Sequence, residues 1–395
     1  MNRSPSVLIA HPGAELYGSD RVLLDTVTVL LERGWTVTVT VPEAGPLVEA
    51  VRATGATVVL CPTPVLRRSV LRPQGLLAFV ATVPRSIGPS RRLVRAARPD
   101  VIVVSTVTIP LWGLLGRLMG IGVLAHVQEA EAATPRWLRR ILSLPLLAVT
   151  SIVVNSEYTL EVLADGWPRL VPRTRIVTNP VRGPGLVQQA RSELTEPVRL
   201  LYVGRLSPRK GPQLIVEALD QLHAEGIAAS LELVGSVFPG YEWFEAELRE
   251  QVMRLELDDR VRFVGFRTDV WPSRAECDIG VVPSIRDESF GNAAVESLLA
   301  ARPAVVSTSG GLAEAVRGYG SALAVPPGDV AAITTAVRTI MQDWTTYREL
   351  AAADARTAAD RQSASRYGQY IERALLDTIA ITDTTNRPSP TRGFR

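Results

Sequence analysis

The stretch "LLYVGRLSPRKGPQL", Leu200–Leu214, holds three kinds of structure in fifteen residues. Arg199–Val203 is an apolar run of strand length, Gly204–Gly211 is a basic loop broken by Pro208, and an amphipathic helix starts after it. A strand feeding through a short loop into a helix is the unit of a doubly wound α/β sheet, where ligands sit outside the carboxyl ends of the strands. Lys210 is the one lysine of a chain whose other 42 basic side chains are arginines. A GC-rich coding preference accounts for the arginines and leaves this exception unexplained, which makes the loop around Lys210 the first place to look for function.

The same alternation runs outward in both directions. Upstream, strands are expected at Val7–Ala10, Trp35–Val41, Val58–Leu60, Val101–Val104, Val123–His126, Ile152–Val154 and Ile176–Val177. Downstream they are expected at Leu231–Val234, Val261–Val264, Ile279–Val282, Ala304–Ser307 and Ala322–Val325. Several are unbroken Val, Ile and Leu, as parallel strands covered on both faces require. "GWTVTVTV" alternates instead and is expected nearer an edge. The Pro- and Gly-rich "PVRGPGLVQQARSELTEP" interrupts the pattern. The expected organisation is a Rossmann-like acceptor-side domain over 1–180, a linker over 181–197, and a donor domain over 198–375 whose last helix crosses back to the first. The polar segment 376–395 is expected to be a disordered tail. The fold class is thus α/β, two doubly wound domains facing across a cleft.

Composition narrows the function. The chain has 395 residues, 46% of them hydrophobic, which suits a soluble two-domain protein. Cys61 and Cys277 have no ligand spacing, and with only His11, His126 and His223 a histidine metal cage is not expected. No signal peptide or membrane-spanning run is expected, which points to the cytoplasm. The net charge of +3 hides an asymmetry: 19 arginines face 12 carboxylates through Pro180, and 24 basic residues face 28 acidic ones beyond it. Between Glu49 and Asp100 there are nine arginines and no carboxylate. A basic face beside apolar residues suits an anionic membrane surface or an anionic acceptor, and equally a solvated helix face.

Arg205 and Lys210 leave the strand where a ligand would lie; a planar guanidinium and a compact ammonium together neutralise a diphosphate from two directions. The second piece is "IRDESFGNAAVESLLA", Ile285–Ala300, after the apolar "IGVVP". Its helix start offers backbone N–H groups and the positive end of a dipole to phosphate oxygens, and Gly291 permits close backbone approach. Glu296, one turn into that helix, suits vicinal hydroxyls such as those of a ribose, or else simply complements the dipole; Glu288, before the turn, reaches the other end of a ligand.

"VGRLSPRKG", "RFVGFRTDV", "PSIRDESFGNAAVESLLAARPAVVSTSGGLAEAV" and "VPPGD", in this order, resemble the donor half of glycosyltransferase family 4, enzymes of GT-B fold. The family's two glutamates with seven residues between them stand here as Glu288 and Glu296. The resemblance implies a nucleoside diphosphate sugar donor, UDP- or GDP-linked. It places Arg205 and Lys210 on the diphosphate, Glu296 on the ribose, Glu288 on the sugar, and Phe290, Gly291 and Asn292 as backbone donors. In the first half, "HPGAELYGSDRVLLD" occupies the family's first glycine-rich loop, with Tyr17, Gly18, Ser19 and Asp20 where Gly-Gly-x-Glu is usual. Gly18 is carried over as donor-binding, and the replaced glycine weakens close phosphate approach there. "LAHVQEAE" matches the family's active-site histidine with His126, placed at the transferred sugar. His11 and Glu314 are further cleft candidates.

The resemblance further implies a retaining hexosyltransferase acting on a hydroxyl acceptor, lipid-linked or a growing glycan of the cell envelope or an exopolysaccharide. His126, Glu288, Arg205 and Lys210 are the expected catalytic set. No cofactor or metal is expected to be required, since no Asp-x-Asp motif is present, and nucleic acid is not an expected partner. Location is expected in the cytoplasm, peripheral on the inner membrane face. The alternatives are a non-catalytic nucleotide-sugar-binding subunit and a nucleotide-sugar epimerase on the same fold.

Overall fold

The structure is a computed structural model describing residues 3–16, 18–66, 73–130, 132–286 and 288–386. Its chain forms two compact units, one of residues 1–180 with 364–395, the other Val181–Ser363.

The first unit is built on β1 (Ser6–Ala10), β2 (Thr36–Val41), β3 (Thr57–Leu60), β4 (Val101–Val104), β5 (Gly122–Val127), β6 (Ser151–Val154) and β7 (Thr174–Ile176). They pair in the order β3-β2-β1-β4-β5-β6-β7, with every ladder parallel. The alternating β2 lies next to the edge strand β3. Helices α1 (Gly18–Glu32), α2 (Pro46–Ala53), α3 (Pro73–Ala97), α4 (Pro110–Leu118), α5 (Arg136–Ser143) and α6 (Glu157–Gly166) connect them. The period-2 side-chain alternation of a strand fixes two cores. Val7 and Ile9 of β1 pack in one cluster with Val27 of α1 and Leu47 of α2; Leu8 and Ala10 pack in the other with Val94 of α3 and Trp112 of α4.

The second unit repeats the plan with β8 (Val198–Val203), β9 (Ala229–Val234), β10 (Val261–Gly265), β11 (Ile279–Val282), β12 (Ala304–Ser307) and β13 (Ala322–Val325), ordered β10-β9-β8-β11-β12-β13 and all parallel. Its helices are α7 (Pro212–Ala224), α8 (Glu242–Arg254), α9 (Trp271–Glu276), α10 (Asn292–Leu299), α11 (Leu312–Ala315), α12 (Val330–Gln342) and α13 (Trp344–Arg361). In both sheets the winding reverses at the centre, between β1 and β4 and between β8 and β11. Those reversals are the ligand-binding switch points of doubly wound sheets.

The segment 181–197 has no helix or strand. It is nonetheless fastened to the second unit: Arg302 Nη1 donates to Gln188 O at 2.8 Å, Trp344 Nε1 to Arg191 O at 3.0 Å, and Arg191 pairs with Asp278 at 2.6 Å.

The final helix α14 (Ala364–Asn386) returns to the first unit. Tyr367, Ile371, Ala374 and Leu375 join the α1 core, and Tyr367 Oη is 2.6 Å from Thr26 Oγ1. Glu372 takes Arg33 at 2.7 Å and Trp35 Nε1 at 3.0 Å. A Cβ on Gly368 would lie 2.2 Å from Val29 Cγ1, so glycine sets how closely the two helices approach. The expectation of a disordered tail from 376 is thereby corrected: residues through Asn386 are helical, while 387–395 lie outside the described residues. The polar threonines that make this stretch read as coil turn their hydroxyls back to the helix carbonyls, Thr378 to Ala374 at 2.7 Å and Thr382 to Thr378 at 2.9 Å.

Candidate functional site

Two loops of the second unit meet at its switch point. After β8 the chain passes Gly204 and Arg205, makes a short 3-10 turn over Pro208–Lys210, and enters α7 through Gly211. Gly211 is left-handed (φ 72°), and a Cβ there would lie 2.3 Å from Pro283 O, so glycine is what lets this loop lie against the one following β11. The Ile285 amide donates to Arg209 O at 2.8 Å and ties the loops together. Arg205 is positioned from two sides. Buried Tyr202 donates to its carbonyl at 2.6 Å, and its guanidinium carbon lies 3.1 Å from the centroid of the Phe238 ring.

Lys210 and Glu288, 78 residues apart, are joined here: Lys210 Nζ donates to Glu288 Oε2, which also accepts from Ser284 Oγ at 3.1 Å. Burial acts to raise the Glu288 carboxyl, but the charges of Lys210 and Arg209 and the hydrogen bonds from Lys210 and Ser284 outweigh it and hold the group below its ordinary value. Glu288 therefore stays ionised beside the ammonium. The Glu288 carbonyl accepts from the Gly311 amide at 2.6 Å, fixing the turn that follows.

That turn delivers α10. Phe290 is buried against Leu312, Gly291 is left-handed (φ 107°), and no side-chain hydrogen bond caps the helix start at Asn292. Glu296 is held by a residue that the sequence does not single out. Arg274 of α9, only 2% exposed, gives one Nη to Glu296 Oε2 at 2.6 Å and Ala293 O at 3.0 Å, and the other to Ser297 Oγ at 2.7 Å. Gly280 of β11 leaves the space this needs, since a Cβ there would lie 2.3 Å from Ser297 Oγ. Glu314 stands in the four-residue α11.

In the first unit, Gly18 opens α1, and Tyr17 lies outside the described residues. His11, directly after β1, and Asp20, in the first turn of α1, are both buried, with Nε2 and Oδ1 2.7 Å apart. His126 on β5 is buried; burial first, and then the nearby charge of His11, push its pKa down to about 4, so its imidazole is neutral at pH 7. Glu129, just beyond β5, is partly buried. Burial raises its carboxyl, against hydrogen bonds from Thr106 and the backbone and the charge of His11. Among the described residues no group of three or more His, Cys, Asp or Glu side chains is arranged to hold a metal ion.

Two parallel-sheet α/β units, each with polar loops at its switch point, define the GT-B class of architecture. Residues 17–182 match the family model described as Glycosyltransferase Family 4, and residues 197–343 match that described as Glycosyl transferases group 1. A glycogen synthase of Mycobacterium tuberculosis is 29% identical over 282 residues, which are 68% of this chain and 65% of that protein, so the match leaves about a third of the relative uncovered. The 2-deoxystreptamine N-acetyl-D-glucosaminyltransferase of Streptomyces fradiae is 29% identical over 342 residues, 80% of this chain and 78% of the relative. The crystal structure of Anabaena HepE in complex with UDP and glucose superposes with a TM-score of 0.78 at 20% identity, covering 94% of this chain and 99% of HepE, a likeness of fold. The chain belongs to the family-4-like glycosyltransferases of GT-B type.

Proposed function

We propose that the chain transfers a sugar, with retention, from a UDP- or GDP-linked donor to a hydroxyl acceptor. The observation that carries this reading is the meeting of Lys210 and Glu288 from two loops at one switch point, next to an α10 start without a side-chain cap. Arg205, Lys210 and the α10 amides take the diphosphate, Glu296 the ribose, and Glu288 the sugar. The charge developing on the leaving diphosphate is stabilised by fixed cations and backbone dipoles, which leaves no step that needs a metal. Same-face attack on an oxocarbenium-like centre gives retention without a carboxylate nucleophile. The fold's likeness to HepE, solved with UDP and glucose, supports a nucleotide-sugar donor.

Thermal-shift screening of UDP- and GDP-sugars is expected to find a stabilising donor, and the product anomer, read by NMR, to match the donor's in the presence of EDTA. Absence of any nucleotide-sugar shift, or an inverted product, contradicts the reading.

A lipid-linked acceptor, and with it a place on the cytoplasmic face of the membrane, is part of the proposal. No side chain of α5 is buried; Trp137, Ile141 and the adjoining Leu144 are 64, 58 and 51% exposed, on the helix that carries Arg136, Arg139 and Arg140. Asp165 takes two of those arginines, Arg139 at 2.7 Å and Arg136 at 3.2 Å, so one carboxylate offsets three cations. Among the described residues no helix is long and apolar enough to cross a bilayer. Arginines beside exposed apolar side chains suit an interfacial helix, at about 1 kcal/mol per basic residue on an anionic surface. The full chain is expected to co-sediment with phosphatidylglycerol vesicles and to be released by salt; equal binding to neutral vesicles, or none, removes the docking idea.

A further inference from the structure

The segment 181–197 also forms part of a cavity. Pro184, Gly185 and Gln188 line it together with Trp271, Ala275 and Glu276 of α9, around a volume of about 340 Å³. That is room for a small ligand. All of its lining residues lie in the second unit, and none comes from the loops 204–211 and 285–292 that the donor reading uses. Its two walls are fixed by one buried side chain. Arg302, 2% exposed, donates from Nη1 to Gln188 O at 2.8 Å and from Nη2 to Ala275 O at 2.5 Å, so the segment and α9 are tied to the same guanidinium. Asp269, which also lines the cavity, accepts the Trp271 amide on Oδ1 at 3.0 Å and sets how the tryptophan enters α9.

The lining chemistry decides the ligand. It holds two carboxylates, one side-chain amide and no Lys, Arg or His, so phosphates, nucleotides and acidic sugars are repelled. Asp269 and Glu276 stand at opposite ends of α9, about 10 Å apart at ~1.5 Å per residue, too far to converge on one metal ion or one ammonium group. The side chains of Gln188 and Glu276 make no hydrogen bond or ion pair among the described residues and are free to bind. Between the two carboxylates in the chain comes Trp271, half-buried on the core around Phe290 and Leu298. The negative face of an indole attracts the C–H groups that a pyranose ring presents, while carboxylates and amides take its hydroxyls. An aromatic ring with acceptors spread to either side suits an uncharged chain of sugar rings.

We propose that this cavity binds two adjoining pyranose rings of an uncharged glycan. The inference deepens the glycosyltransferase reading, since the choice of a saccharide over other polyols rests on that reading. A glycan held here stays on the protein while the nucleotide loops exchange product for donor.

Saturation-transfer NMR on the full chain tests this, with maltotriose, cellotriose and triacetylchitotriose as probes and excess UDP and GDP present to occupy the donor loops. At least one trisaccharide is expected to bind, and more tightly than glucose. Trp271→Leu keeps an apolar side chain against the core and is expected to weaken that binding by about tenfold, the worth of an aromatic contact. Gly185→Phe is a second variant that the fold accepts: Gly185 is not left-handed, and a Cβ there would meet nothing within 4 Å. Its added bulk at the cavity wall is expected to weaken the trisaccharide equally, with the nucleotide-sugar thermal shift unchanged. Failure of every trisaccharide to bind, glucose binding as tightly as a trisaccharide, binding undiminished in both variants, or displacement of the trisaccharide by spermidine overturns the site. Any of these, with a nucleotide sugar still bound, leaves the glycosyltransferase reading standing; failure of every nucleotide sugar to bind sinks that reading instead.

Discussion

Lys210→Ala is expected to slow sugar transfer by about 10² to 10³-fold, the usual cost of removing one preorganised donor from a developing anion. The damage extends beyond one lost charge. Glu288 is buried in a way that favours its neutral acid, and it stays ionised because Lys210 and Arg209 face it and Lys210 and Ser284 bond to it. Removing Lys210 takes away the largest opposing charge, so the Glu288 pKa rises, and activity that needs the carboxylate reappears only at higher pH. The variant is therefore expected to show both a lower plateau and an acidic limb moved toward alkaline pH. Lys210→Arg keeps the charge but brings a wide planar fork to a loop packed on Pro283 O, and its activity is expected to fall between those of Lys210→Ala and the wild type. Glu288→Gln leaves Lys210 in place, so it is expected to retain nucleotide binding and lose turnover. Steady-state kcat against pH, with nucleotide affinity measured separately, checks all three. A Lys210→Ala profile of wild-type height and shape would remove Lys210 from the chemistry.

How much of this is legible in the sequence depends on how far apart the interacting residues are. Strands buried on both faces write themselves as apolar runs: "VIVV" is β4 and "IGVV" is β11, each buried along its whole length. The helix over 376–386 escapes a reading by composition, because threonines that satisfy themselves on carbonyls four residues back look like a solvated tail. Lys210 is legible as an exception in composition. Its pairing with Glu288 is not, because strand order is invisible in the chain; β8 and β11 are neighbours only through the reversal at the switch point. His11 stands out as a histidine at a strand end, whereas its contact with Asp20 depends on how the chain turns into α1.

Arg274 is the strongest case of a group that sequence could not disclose, and its replacement is the second large effect expected. It sits on a six-residue helix with no periodicity to read, and it bonds residues 19 to 23 positions away. Its guanidinium is buried, so Arg274→Met leaves the Glu296 carboxylate and the Ala293 carbonyl without their strong donor, at an expected cost of about 3 to 5 kcal/mol in stability. Glu296→Gln makes the opposite fault, a buried cation lacking its anion, and is also destabilising. In the double variant neither charge is left stranded, so stability is expected to recover beyond the sum of the two single losses. Function is expected not to follow stability. If Arg274 serves to aim Glu296 at the ribose, the double variant, though folded, binds the donor nucleotide weakly and no longer distinguishes it from its 2′-deoxy analogue, a preference expected of the wild type. Urea denaturation of the four proteins gives the coupling energy, and titration calorimetry with the two nucleotides gives the discrimination. Full recovery of both stability and ribose discrimination in the double variant would mean that Arg274 and Glu296 only brace α10, and that the ribose is held elsewhere.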